Sequence, residues 1–176
     1  MVAAWRGRRS LILSLLCVAI IVVVPRAYAQ KLSPDEAERL LVGTYELTEW
    51  RFEGQVLKPP AVHGRLVFHN GQIIAMFQRE KDGTLFDFSG YGSYVLNENL
   101  WSYGFDYRLE VTGKAGGNEV LHATREQIPF LYRREGTDLV LDYRNGERRF
   151  VIGPEELSYF EMGQVLRKWR RLKTGL

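Results

Sequence analysis

The sequence predicts an all-β protein, a small antiparallel β-barrel of about eight to ten strands with a short N-terminal helix. After one short helical segment, apolar and polar residues alternate with the period of two that is typical of strands. Turn dipeptides, including Asn70-Gly71 and Asn145-Gly146, separate these runs. So many strands in a small domain favour a closed barrel or a sandwich over one open sheet, and only a barrel removes exposed strand edges.

The N-terminal segment predicts an export signal. Arg6, Arg8 and Arg9 precede an unbroken apolar run over 11–24, and Ala27-Tyr28-Ala29 supplies the small-x-small pattern of a cleavage site. The run has 14 residues, whereas a membrane-spanning helix needs roughly 20. We therefore favour cleavage over retention as a membrane anchor.

Cleavage between Ala29 and Gln30 divides the chain into a signal peptide (1–29) and one mature domain (30–176), which we expect to be periplasmic or secreted. The chain has 24 basic and 21 acidic residues, and the first 29 residues hold four of the arginines and no acid. The mature domain is therefore close to neutral, which gives no indication of a nucleic-acid partner. Cys17, the only cysteine, leaves with the signal. The domain must therefore be stabilised by its core without a disulfide.

The mature chain opens with a helix and continues with strands. Ser33 is a predicted N-cap, Pro34 suits the first helical position, Glu36 completes a capping box, and Gly43 ends the helix. A helical turn is also expected to begin at Pro154. The predicted strands cover 43–52, 63–69, 72–79, 86–96, 100–111, 119–124, 130–134, 138–144, 147–152 and 163–172.

The strand over 100–111 has the clearest alternation. Its large apolar side chains share one face, which we expect to point into the barrel, and its charged side chains share the other. The apolar face carries Trp101, Tyr103, Phe105 and Tyr107; the polar face carries Asp106, Arg108 and Glu110. Gly90 and Gly92 in the preceding strand either permit strong coiling or leave empty volume beside large rings. A bulge is expected in the first strand near 48–50, where its alternation slips.

Several short motifs resemble the bacterial lipocalin-like domain family, a group of calycin-type β-barrels. Leu41-Val42-Gly43-Thr44-Tyr45 is similar to the opening of such proteins, where a short helix leads into Gly-x-Trp. The segments 64–68, 91–94, 121–122, 138–141 and 166–171 follow in the family's order. The resemblance covers nearly all of the mature chain and implies a lipocalin-like fold.

The resemblance also implies a packing contact that closes the barrel. In lipocalins the first-strand tryptophan lies beneath a basic side chain from the last strand, as a cation over a π face. Tyr45 stands in the tryptophan position here, and Arg167 or Arg171 is the candidate cation. Trp50 is the alternative aromatic partner.

Aromatic side chains supply the candidate ligand site. They could line an apolar pocket in which hydroxyl groups orient one polar end of a ligand; alternatively, they fill the barrel. The candidate ligand-binding residues are Met76, Phe88, Tyr94, Trp101, Tyr103, Phe105, Tyr107 and His122. For His122 the role is implied by the family resemblance.

The sequence assigns no catalytic residue, metal site or cofactor. The histidines, His63, His69 and His122, are scattered without ligand spacing. We find no nucleophile elbow, Cys/His pair, phosphate loop or inward carboxylate pair. A barrel enzyme that isomerises or hydrates an apolar substrate is an open alternative, but the sequence favours a binding protein.

The expected partner is a small apolar or amphipathic ligand held in the barrel. A filled barrel that acts as an envelope or interaction module is the main alternative. The basic C-terminal strand, with Arg167, Lys168, Arg170, Arg171 and Lys173, could also make peripheral contact with an anionic membrane. We favour the alternative that the last strand is solvated, with one basic side chain packed on the end of the barrel.

Overall fold

A computed structural model describes residues 31–114, 118–122 and 127–173, with the backbone alone for 118–122. Helix α1 spans Pro34–Leu41, and a 3₁₀ turn covers Arg144–Gly146. The strands are β1 (Gly43–Phe52), β2 (Gln55–Leu57), β3 (Val62–His69), β4 (Gln72–Lys81), β5 (Thr84–Asn97), β6 (Leu100–Gly113), β7 (Asn118–His122), β8 (Ile128–Glu135), β9 (Asp138–Tyr143), β10 (Arg148–Ile152), β11 (Glu156–Glu161) and β12 (Gln164–Arg171). The predicted signal peptide and its cleavage site lie outside the described residues.

Ten strands form a closed antiparallel barrel. Their order is β1-β3-β4-β5-β6-β8-β9-β10-β11-β12, and β12 pairs back with β1. β2 pairs with β1 and β7 pairs with β6, both outside this ring. The predicted fold class is confirmed, and the architecture is consistent with a calycin-like fold. Within the described residues, no helix has the length and apolar character needed to span a membrane.

Two turn dipeptides form hairpins as predicted. Asn70 and Gly71 have φ values of 48° and 73°, and the residues beside them pair as the ends of β3 and β4. Asp82-Gly83 joins β4 and β5 with φ values of 51° and 72°. Two-residue hairpin turns of this kind require positive φ at both positions, which Asn, Asp and Gly tolerate.

The helical turn predicted at Pro154 is wrong. Glu156–Glu161 instead form β11, which pairs with β10 on one side and β12 on the other. Leu157 is fully buried between Ile152 and Trp169 in these ladders. Pairing on both edges therefore overrides the local helix-start signal.

Helix α1 covers one end of the barrel. Its predicted capping box is present: Ser33 Oγ accepts from the Glu36 backbone N–H, and Glu36 Oε2 accepts from the Ser33 N–H at 3.0 Å. Ala37 and Leu41 are fully buried. The Tyr94 hydroxyl donates to Glu38 Oε1 at 2.7 Å, which ties the helix to β5.

The expected bulge in β1 is present at Thr48. Leu47 pairs with Trp169 and Glu49 with Lys168, so Thr48 is the extra residue. The bulge lets both Leu47 and Trp50 point inward although they are three residues apart.

Candidate ligand-binding cavity

The barrel is packed beneath α1 and hollow farther along. Tyr45, Phe68, Trp101 and Phe130 are almost completely buried and form the packed part. Beyond them lies a cavity of about 300 Å³, at the small end of the range for ligand pockets. The barrel is therefore neither entirely filled nor entirely open.

The cavity has an apolar wall and a set of charged or hydroxyl groups. The apolar wall includes Ile73, Ala75, Phe88, Phe105, Phe150 and Trp169. The other lining groups include Arg108, Glu110, Arg148, Tyr159, Glu161 and Arg167. The lining reaches the end opposite α1, where Arg148 begins β10 and the exposed Glu161 ends β11.

A second bulge, in β6, brings two of these charges inside. Tyr91 pairs with Tyr107 and Gly92 with Phe105, which leaves Asp106 as the extra residue. After Asp106, the positions that a regular strand would direct inward point outward, and the positions between them point inward. The predicted arrangement is therefore wrong here: Tyr107 lies on the outer surface with 47% exposure, while Arg108 and Glu110 line the cavity.

Gly90 and Gly92 make this local geometry possible. A Cβ atom on Gly92 would lie 1.9 Å from the Gly104 carbonyl oxygen, which is closer than any allowed contact. A Cβ atom on Gly90 would lie 2.8 Å from the Phe105 ring. Gly92 therefore makes room for the backbone at Gly104, and Gly90 makes room for the Phe105 ring. Neither glycine leaves an empty space.

The structure places some of the predicted ligand residues on the cavity wall and others elsewhere. Phe88, Tyr103 and Phe105 line the cavity. Tyr94 and Trp101 are buried in the barrel but do not line the cavity.

Met76 is 49% exposed on the outer face of β4. Its expected place in the interior is wrong, because inward positions of this strand alternate through Ile73, Ala75 and Phe77. The side chain of His122 lies outside the described part of the chain, so its role stays a prediction.

Two ionic or polar contacts organise the cavity wall. Arg108 Nε lies 3.3 Å from Glu110 Oε1, and the Tyr159 hydroxyl donates to Glu161 Oε1 at 2.7 Å. The pKa of Tyr159 is raised mainly by burial and, to a smaller extent, by this hydrogen bond to the carboxylate. Burial also raises the pKa of Tyr103, so both phenols stay protonated near neutral pH.

Arg167 lies among aromatic rings in the wall of this cavity. Its guanidinium carbon is 4.6 Å from the ring centroids of Trp50 and Phe77 and 5.3 Å from that of Tyr159. Its Nε is buried without a hydrogen-bond partner. Burial lowers the pKa of Arg167, but an arginine remains charged in a protein.

The structure places Arg171 over Tyr45 at the closed end. The guanidinium carbon lies 4.9 Å from the Tyr45 ring centroid, and burial raises the pKa of Tyr45 to about 12. Nη1 and Nη2 of Arg171 donate to the carbonyls of Val42 and Leu40 at 2.9 and 2.6 Å. Both candidate cations thus contact an aromatic ring of β1, Arg171 that of Tyr45 and Arg167 that of Trp50.

The sequence reasoning did not assign Arg167 to the cavity, although a signal was available. Arg167, Trp169 and Arg171 alternate along β12, and an inward tryptophan at the middle position places both arginines inside. The remaining basic residues of this strand point outward, where Lys168 pairs with Glu156 and Arg170 with Glu46. Peripheral contact with a membrane stays a prediction.

Within the described residues, no group of three or more His, Cys, Asp or Glu side chains is placed to hold a metal ion. His63 and His69 are both exposed on β3.

The lining described above offers cation, hydroxyl and carboxylate groups beside an apolar wall. Such an arrangement can bind an amphipathic molecule and orient it.

Comparisons of the chain with models of protein families, with curated proteins and with solved structures gave no match.

Proposed function

We propose that this protein binds and carries a small amphipathic molecule inside its barrel. The observation that carries the proposal is the cavity of about 300 Å³, in which an aromatic and aliphatic wall faces charged groups. Burying apolar ligand surface supplies affinity, and a few polar groups fix orientation. A barrel that served only as a packed scaffold would have no need of charged side chains inside it, because desolvating them is costly.

The motifs that resemble the bacterial lipocalin-like domain family agree with this proposal, and the predicted export signal supports a location outside the cytoplasm. We propose that the mature domain acts in the periplasm or outside the cell. N-terminal sequencing of the protein recovered from the periplasm or the medium should begin at Gln30. A protein that keeps residues 1–29 would contradict export by cleavage.

Native mass spectrometry tests the binding function without knowledge of the ligand. The full gene, with its own leader, is expressed in bacteria, and the protein is purified without detergent. We expect a non-covalent adduct of a few hundred daltons that solvent extraction removes. An extracted protein that neither carries an adduct nor takes up added amphiphiles would contradict the proposal and favour the filled interaction module.

A further inference from the structure

Positively charged side chains outnumber negatively charged ones in the cavity lining, and not all of them are paired. Three arginines, Arg108, Arg148 and Arg167, face two glutamates, Glu110 and Glu161. Glu110 is occupied by Arg108, and Glu161 accepts the Tyr159 hydroxyl. The described lining therefore carries one net positive charge without a matching carboxylate.

Arg167 contributes a guanidinium without a partner to this wall. Its guanidinium makes no hydrogen bond or ion pair with the described residues, and its Nε is inaccessible. The rings of Trp50 and Phe77, both 4.6 Å away, give it cation–π contacts. Such contacts are worth about 0.5 to 2 kcal/mol each, whereas taking a cation out of water costs several.

A second guanidinium increases the positive potential beside it. Arg79 lies 4.9 Å from the same Trp50 ring and 3.4 Å from the ring of Phe52. Its guanidinium forms no hydrogen bond or ion pair with the described residues, and burial lowers the pKa of Arg79 as well. Two guanidinium groups thus share one indole, which is an environment that favours an anion.

The volume of the cavity limits the size of such an anion, and the apolar wall favours an anion with an apolar body. The volume of about 300 Å³ corresponds to about ten non-hydrogen atoms at the volume share of liquid water. Much of the rest of the cavity wall is apolar, with Ile73, Ala75, Phe88 and Phe105 among the lining residues. One negative charge on an apolar body of about eight carbons satisfies both conditions.

We propose that Arg167 is the anion-binding residue of the cavity and that the ligands are small organic monoanions, carboxylates of about the size of octanoate. This inference rests on the proposed function and names the ligand class for the same cavity. A guanidinium fork matches the geometry of a carboxylate with two parallel hydrogen bonds. The apolar chain would then extend along the wall that contains Ala75 and Phe88.

The test compares head groups on one chain length. The solvent-extracted protein, expressed with its own residues 1–29 and purified without detergent as above, is titrated at pH 7.5 with octanoate, octan-1-ol and octylammonium, and binding is followed by calorimetry and by tryptophan fluorescence. We expect octanoate to bind at least about tenfold more tightly than octan-1-ol, because a charge-assisted hydrogen bond is worth about 1.5 to 3 kcal/mol. Octylammonium should bind most weakly.

The variant Arg167→Met isolates the cation while keeping a long side chain in place. We expect it to lose at least about tenfold in octanoate affinity and to keep its octan-1-ol affinity. Lys168→Met is the matched control, because it removes one positive charge from the neighbouring, outward position of β12. The control should leave both affinities unchanged.

Equal binding of octanoate and octan-1-ol by the natural chain would overturn the anion site while leaving the proposed carrier function intact. Failure of all three compounds to bind would instead contradict the proposed function itself. A folded Arg167→Met variant that kept its preference for octanoate would also overturn the assignment. The head-group preference of the natural chain decides the case even if that variant does not fold.

Discussion

Arg167 and Arg171 lie four residues apart on the inner face of β12, yet within the described chain only Arg171 has hydrogen-bond acceptors for its guanidinium. Arg171 donates to two backbone carbonyls where α1 meets β1, whereas the guanidinium of Arg167 lies over the rings of Trp50 and Phe77. The same residue type therefore serves two purposes on one strand. Arg171 contacts the closed end, and Arg167 is the residue that we propose to bind an anion in the cavity.

This difference predicts unequal consequences for stability when either arginine is replaced. Arg171→Met should lower the free energy of unfolding by about 2 to 3 kcal/mol, because it removes charge-assisted hydrogen bonds to the carbonyls of Val42 and Leu40. Arg167→Met should change it by less than about 1 kcal/mol or raise it, because a desolvated and unpaired cation is removed. Urea denaturation monitored by circular dichroism measures both. A larger loss for Arg167→Met would show that this cation is structural.

The Tyr45 ring is expected to anchor the closed end. It is fully buried beneath Arg171, and its hydroxyl donates to the Leu41 carbonyl at 2.9 Å. Tyr45→Ala should cost about 3 to 5 kcal/mol by loss of the ring, and Tyr45→Phe about 1 kcal/mol by loss of one hydrogen bond. Thermal unfolding compares the two variants. Full thermal stability in Tyr45→Ala would refute the packing role.

The two glycines of β5 should differ in their tolerance of a methyl group. Gly92→Ala places a Cβ against the Gly104 carbonyl, which belongs to the backbone of the bulge and cannot move aside. Gly90→Ala meets the Phe105 ring, which can rotate into the cavity. We expect a loss of about 3 kcal/mol or more for Gly92→Ala and of about 1 kcal/mol for Gly90→Ala. Equal losses in chemical denaturation would argue against the bulge at Asp106.

Acid should weaken the fold through Asp142. Its carboxylate lies between Arg133 and Arg149. Burial opposes its ionisation, but the hydrogen bonds from Arg149 and Arg133 outweigh burial, so the pKa of Asp142 is lowered from 3.8. A lowered pKa in the folded state stabilises the protein above the unfolded value, and this contribution is lost as pH falls through the folded pKa.

The corresponding variant separates this site from general acid effects. Asp142→Asn should be about 1 to 2 kcal/mol less stable than the natural chain at pH 7. The difference should shrink steadily below about pH 4, where the natural carboxyl becomes protonated. Urea denaturation of both proteins over this pH range provides the measurement. A difference that stayed constant down to pH 2 would exclude the ionised carboxylate as its cause.

Local chemistry made much of the fold predictable. The capping box of Ser33 and Glu36, the Asn70-Gly71 turn and the slip in alternation near Thr48 each depend on neighbouring residues, and each is present. A strand such as β11 was not predictable in the same way. Its signal was a short apolar stretch after Pro154, and only pairing with strands on both sides determines its conformation.

The cavity depends on information that the alternation of β6 conceals. That alternation is unbroken through Asp106, so the sequence places Tyr107 inside and Arg108 outside. The bulge that exchanges them is accommodated across the sheet by Gly92, where a side chain would collide with the Gly104 carbonyl. The pair Gly90 and Gly92 was visible in the sequence, but its consequence for a neighbouring strand required the three-dimensional register.

The central claim is that the cavity inside the barrel is the ligand site, and filling the cavity tests it most directly. Ala75 lines the cavity from β4, and the next residue, Met76, lies on the outer surface. Solvent-extracted natural protein, Ala75→Leu and the control Met76→Leu are titrated calorimetrically with octanoate and octan-1-ol. We predict saturable binding of one molecule by the natural protein and by Met76→Leu, and none by a cooperatively folded Ala75→Leu. Equally tight binding by Ala75→Leu, or no binding by the natural protein, would contradict the account.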